Sequence, residues 1–243
     1  MPRFSSLIPC AAIAFSVVAG TAGAVTVPLT AASSASAFNM DVNLDGEKTS
    51  LGNQVPAVGH APPSYNVQNA APSFSRGYNS PSGVSASLKG GSITSTASSA
   101  GPAGGQITSV GTSRIGSFNA TVSTPLGTLI SISAGNIVSR ATYTLSRNNA
   151  RKAVGYADIG RVVVNAPLLG LNNKTFSGSP KVNQVLYQSP DKSVTVYLNR
   201  QVQTMAAGKP TSITVNAVAI EFSKGINQLS VGADIVVGTA MAN

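Results

Sequence analysis

The chain has 243 residues, of which 9% are charged, with 16 basic against 7 acidic side chains, one histidine, one cysteine and no tryptophan. Ionisable groups this scarce leave little for acid–base or metal chemistry, and without aromatics beside the charges the stacking platforms of specific nucleic-acid binders are missing. A charged fraction of roughly 25% is usual in soluble domains. Here Gly, Ser, Thr, Ala, Asn and Val take its place, which disfavours helices and suits turns and strands.

Residues 1–24 have the layout of a secretory signal: Arg3 supplies a positive start, 7–18 an apolar run, and Ala22-Gly23-Ala24 a small-x-small cleavage site before Val25. A membrane anchor would need about 20 uninterrupted apolar residues, and Pro9 and Ser16 break this run. Cys10 lies too early for a lipoprotein cysteine. With Cys10 removed, the mature chain holds no thiol to cross-link, ligate a metal or attack a substrate. The expectation is a protein released to the periplasm, the outer surface or the medium, with no span after signal removal. A flexible segment over 25–37 precedes a single domain over 38–243.

Phe38, Met40, Val42 and Leu44 alternate with polar residues, Asp45-Gly46 is a tight-turn dipeptide, and Thr49 and Leu51 continue on a return strand. The same residues begin like a calcium loop, Asp41-x-Asn43-x-Asp45-Gly46, but its twelfth position is Gly52 where a bidentate Glu is required. A hairpin is the better reading, with Asp41, Asn43 and Asp45 as the only metal candidates. Residues 52–83 carry five prolines and the lone His60, a density that points to an extended crossing or edge region. No cofactor is expected.

Further strands are expected at 84–88 and 93–97, joined through Lys89-Gly90-Gly91, and at 106–110, 117–122 and 129–133. The strongest unit is a hairpin over 135–165, in which Ile137, Ala141, Tyr143 and Leu145 alternate with polar residues, a polar loop follows, and alternation resumes at Ala157. Its apolar phase changes from odd to even across Gly160, the mark of a β-bulge. A second hairpin over 184–198 turns at Ser189-Pro190-Asp191-Lys192. In the strand over 212–222, Ile213, Val215, Ala217 and Ala219 share a face, and residues 235–237 form a short buried strand. Ten to twelve short strands of this kind predict an all-β antiparallel sandwich, jelly-roll-like. A β-solenoid is the alternative, but no repeat of fixed period is present.

Residues 135–142, 157–165, 212–218 and 233–240 resemble, in that order, motifs of the bacterial choice-of-anchor P family. The resemblance implies an exported cell-surface domain whose molecular activity is undefined. It brings no catalytic or binding residues, and the cysteines frequent in that group are replaced here by Tyr143 and Leu145.

From residue 49 onward 14 basic residues face four acids, Asp158, Asp191, Glu221 and Asp234. Such a surface attracts polyanions, among them surface glycans. Its closest cluster is Arg147, Arg151 and Lys152 in the central hairpin loop, and Tyr187 and Tyr197 on the two arms of the second hairpin are placed to face each other as a sugar platform. Only a fold that joins distant acids such as Asp158 and Glu221 would make an enzyme of it. The leading expectation is a non-catalytic surface protein with a structural, adhesive or self-assembly role, since poorly charged sheet edges are weakly guarded against pairing. A carbohydrate- or polyanion-binding module is the alternative.

Overall fold

The computed structural model describes residues 30–44, 47–51, 55–81, 83–101, 105–146, 148–222 and 231–243; the leader expected at 1–24 lies outside them. The all-β antiparallel sandwich expected from the sequence is what forms. Strands β1 (Ala31–Leu44), β2 (Glu47–Leu51) and β3 (Ala57–Ala61) lie in one sheet with β10 (Gln184–Gln188), β11 (Val194–Ala206), β12 (Lys209–Phe222) and β13 (Val231–Ala242). The second sheet is a meander of β4 (Tyr65–Asn79), β5 (Ser85–Ala100), β6 (Ile107–Thr124), β7 (Gly127–Leu145), β8 (Arg151–Ala166) and β9 (Leu171–Gly178). The first sheet runs β10-β11-β12-β13-β1-β2, with β3 beside the start of β1. Neighbours are thus mostly consecutive in sequence, without the crossed connections of a jelly roll.

The strands are not short. β6 has 18 residues and β7 has 19, and each joins segments whose sequences read as separate strands. The cause is a line of bulges that crosses both sheets. In the second sheet the ladder skips Pro72, Ser92, Gly116, Asn136 and Gly160, which sit side by side on five adjacent strands. Inward positions change parity there, from Val84, Ala86 and Leu88 to Ile93 and Ala97 on β5, and from Ile107 and Ile115 to Phe118 and Ala120 on β6. Because each of these strands carries the extra residue, their mutual register is unbroken. Only β9 lacks it, and the β8–β9 pairing shifts between Ile159 and Val162. The bulge expected at Gly160 is therefore one member of a row. The first sheet has a matching row at Asn199, Ala217, Gly238 and Ala37. Hence Ala219 does not continue the face of Ile213, Val215 and Ala217; Val218, Ile220 and Phe222 turn inward after the line.

A glycine pair followed by a change of phase looks like a turn, which is why Lys89-Gly90-Gly91 read as a hairpin loop. It lies inside β5. Positive φ falls on alternate strands of each row, at Ser92 and Asn136 in one sheet and at Asn199 and Gly238 in the other. Bulges bend and overtwist a strand, so a row of them bends the sheet as a unit. Pro72 occupies a skipped position, where no ladder N–H is needed.

The line divides the interior in two. On one side Phe38, Leu88, Phe118, Leu129, Ile132, Leu198, Ile220 and Val237 form a core of bulky side chains, with Phe38 stacked on Phe74 at 4.2 Å between centroids. On the other, two adjacent rows of inward positions are small: Ser95, Ser113 and Ser139 pair across β5, β6 and β7, and the next row is Ala97, Gly111, Ala141 and Gly155. There the main chains touch, since a Cβ on Gly111 would lie 2.3 Å from the Ser34 carbonyl oxygen. This also corrects, from residue 31 onward, the flexible segment expected over 25–37, of which 25–29 lie outside the described residues. Residues 31–37 are part of β1, with Ala31, Ser33 and Ala35 buried. Their Ala/Ser alternation resembles linker sequence, but it is the small-residue face this tight half requires.

Candidate functional site

The hairpin of β10 and β11 forms as expected, but it makes no aromatic platform. The register shifts between Val185 and Tyr187, so that Tyr187 pairs with buried Val196 while Tyr197 pairs with exposed Val185. The bulge at Leu186 puts the two rings on opposite faces. Tyr187 packs against the core and donates to the Leu169 carbonyl at 3.3 Å. Desolvation, and then the charge of Asp191, raise its pKa. Tyr197 lies outside, with the Arg200 guanidinium 5.0 Å from its ring centre and Arg200 paired to Glu221.

Asp191 is committed to the turn itself. Its Oδ1 accepts from the Ser189 hydroxyl at 2.6 Å, the Ser193 hydroxyl at 2.8 Å and the Ser193 N–H at 3.1 Å. These bonds hold the carboxyl down from 3.8 to about 2. A carboxyl whose folded pKa is depressed contributes fully above its unfolded value, and that contribution fades as the pH falls through the folded one. The turn is thus expected to keep its order at pH 4 and lose it near pH 2. An NMR titration of Asp191 should show a midpoint of about 2, and Ser189→Ala should move it toward 3.8; a wild-type midpoint already at 3.8 would refute the assignment.

Asp41 and Asn43 fall within β1, in register with Ser50 and Lys48 of β2, so the hairpin reading holds; Asp45 lies outside the described residues. The described residues contain no group of three potential metal-ligating side chains. Asp158 and Glu221 are kept apart, one on each sheet. Asp158 accepts from the Ser179 hydroxyl at 3.1 Å, and Glu221 is paired with Arg200.

Two features remain. The first is a cavity of about 830 Å³ at the end of the tight half, where β1 begins and β3 and β7 end. Tyr143, Leu145, Ala31 and Ala61 contribute apolar surface, and His60, Asn149, Arg151 and Thr211 contribute polar groups. Asn149 organises the charge. Its Oδ1 accepts from Arg151 Nε at 3.0 Å and its backbone oxygen from Lys209 Nζ at 3.2 Å. Of the basic cluster expected in the loop, Arg151 therefore reaches a cavity, Lys152 is exposed opposite Thr144, and Arg147 lies outside the described residues. His60 and Thr211 line the cavity with Arg151 from distant parts of the chain, Lys209 stands beside it against Asn149, and no local pattern marked them.

The second is an open edge. β9 pairs only with 159–166 of β8, so among the described residues no strand flanks 151–158 on the side away from β7. Gly155 turns its carbonyl to that side, where the Gln201 side chain donates to it at 2.8 Å. The outer face of this stretch carries, at alternate positions, Lys152, Val154, Tyr156 and Asp158, all exposed. β4, the longer edge, is better guarded. Pro72 interrupts it, Arg76 sits on the inward phase opposite Leu88, and Asn69 donates to the Pro56 carbonyl.

Among the described residues no helix is long and apolar enough to cross a membrane, which leaves strand-built spans unaddressed. No protein-family model and no curated protein matches the chain, so the likeness to choice-of-anchor P proteins stays a resemblance and the site rests on its own geometry.

Proposed function

We propose that this chain is an exported, non-catalytic structural protein of the cell exterior that associates with copies of itself through the open edge of β8. The observation that carries the reading is the order of outward side chains around Gly155. Two copies of 151–158 paired antiparallel about Gly155 place Val154 against the partner's Tyr156 and Lys152 against the partner's Asp158. Aromatic with β-branched and cation with anion are the favourable cross-strand pairs of antiparallel sheets. A two-fold interface makes each of them twice. The Gln201 amide, which now holds the Gly155 carbonyl, gives way to the partner's backbone. Export and surface location follow the leader-like residues 1–24 and the resemblance to choice-of-anchor P proteins, and the excess of 14 basic over four acidic residues from residue 49 onward favours retention on acidic glycans of that surface.

Sedimentation velocity over a wide concentration range is the test. Wild type is expected to shift from one sandwich to two. Lys152→Asp sets like charges opposite each other and should weaken association at least ~10-fold. Asp158→Lys should do the same, and the two together should restore it. A wild type that remains a single sandwich throughout, or a double exchange that fails to rescue, would end the proposal.

A further inference from the structure

The end cavity bears on a function that edge association does not use, and the two are separable because Arg151 faces the cavity while Lys152 lies on the outer face of β8. We infer that this cavity binds a carboxylated sugar, its carboxylate held by Arg151 with the charge of Lys209 beside it at Asn149, and its ring lying on the apolar surface of Tyr143 and Leu145. Asn149 fixes the two cations from one residue, using its side-chain oxygen for Arg151 and its backbone oxygen for Lys209. With Nε engaged at Asn149, the guanidinium keeps its paired terminal nitrogens for a carboxylate, the geometry in which arginine binds best. No acidic side chain is among the residues lining the cavity.

Size and lining select within the anions. A cavity of about 830 Å³ is far larger than an inorganic oxyanion needs, and ligand sites of this size pair an apolar floor with a few convergent polar groups. Tyr143 is 3% exposed and its hydroxyl donates to the Pro210 carbonyl at 3.4 Å, so its ring is held in place as part of that floor. Thr211, Thr30 and His60 stand around it as partners for ring hydroxyls. A bare sulfate would leave the floor unmatched, and a neutral sugar would leave the cations unmatched. A hydroxylated ring with one carboxylate, such as a uronate at the end of an acidic glycan, meets both.

The test is an NMR titration of the full chain with glucuronate, glucose and sodium sulfate at matched ionic strength. Glucuronate is expected to give saturable shifts at the amides of Tyr143, Asn149 and Thr211. Its affinity should fall about 10-fold or more in Arg151→Gln, the loss of a charged hydrogen bond, and also fall in Lys209→Gln, which keeps the test usable if the first variant misfolds. Lys174→Gln, on β9, should leave it unchanged. Glucose or sulfate binding as tightly as glucuronate, or no saturation with glucuronate at all, would overturn the inference. Binding that persists in a Lys152→Asp variant unable to associate would separate this site from the edge.

Discussion

Gly111→Val is expected to destabilise the fold by at least ~3 kcal/mol, at the upper end of what overpacking does in a protein interior. A Cβ at 111 would lie 2.3 Å from the Ser34 carbonyl oxygen and 2.6 Å from that of Met241. These two residues face each other across β1 and β13, so the obstacle is a hydrogen-bonded ladder that cannot rotate aside. The substitution must push the sheets apart. Separation there would open the whole small-residue half, because Ala97, Ala141 and Gly155 lie beside Gly111 in one row and have no length to refill the gap. Gly77→Ala is the control, since its Cβ would rest 3.6 Å from the Ala86 oxygen in ordinary contact and should change stability by no more than ~0.5 kcal/mol. Urea unfolding midpoints measure both. Equal midpoints for wild type and Gly111→Val would mean that the main chains are not in contact.

The close approach also explains what the sequence could and could not show. Period-two alternation of bulky residues was legible wherever the core is bulky, as at Ile130, Ile132, Val162 and Val164, and the hairpins at 44–47, 145–151 and 188–194 follow from it. Along the close-approach rows of the tight half, as at Ser95, Ser113, Ser139, Ala97, Gly111, Ala141 and Gly155, and along the start of β1, the inward residues are Ser, Ala and Gly, the same residues that make up exposed loops. Ala31, Ser33 and Ala35 therefore read as a linker, though all three are buried. The row of bulges hid the strand lengths in a similar way. One change of phase is visible in any single strand, but the fact that Ser92, Gly116, Asn136 and Gly160 lie side by side exists only once the strands are paired. The sites divide along the same line. Lys152, Val154, Tyr156 and Asp158 are an alternation that anyone can read, yet that this stretch is an edge depends on β9 ending its pairing at Ile159. Arg151 was legible as part of a basic loop. Lys209, which donates to the same Asn149, and His60, which lines the same cavity, come from other strands and carry no local signal.

Gly238→Val should destabilise by about 3 kcal/mol, the sum of two separable causes. Gly238 has φ +63 on the bulge line of the first sheet, where a β-branched residue is strained by about 1–2 kcal/mol. Its Cβ would also lie 3.2 Å from the Cβ of Ala217 on the neighbouring strand β12 and 3.3 Å from Cγ2 of Ile137 across the interior, which adds an overpacking cost of about 1–3 kcal/mol. Asn136 isolates the first cause. It has φ 52 on the matching line of the second sheet, but its side chain is exposed. Asn136→Val should therefore lose only the backbone share, ~1–2 kcal/mol. The difference between the two valine variants measures how tightly the lines are pressed together. If both lose the same amount, the lines do not meet across the core, and each sheet bends on its own account.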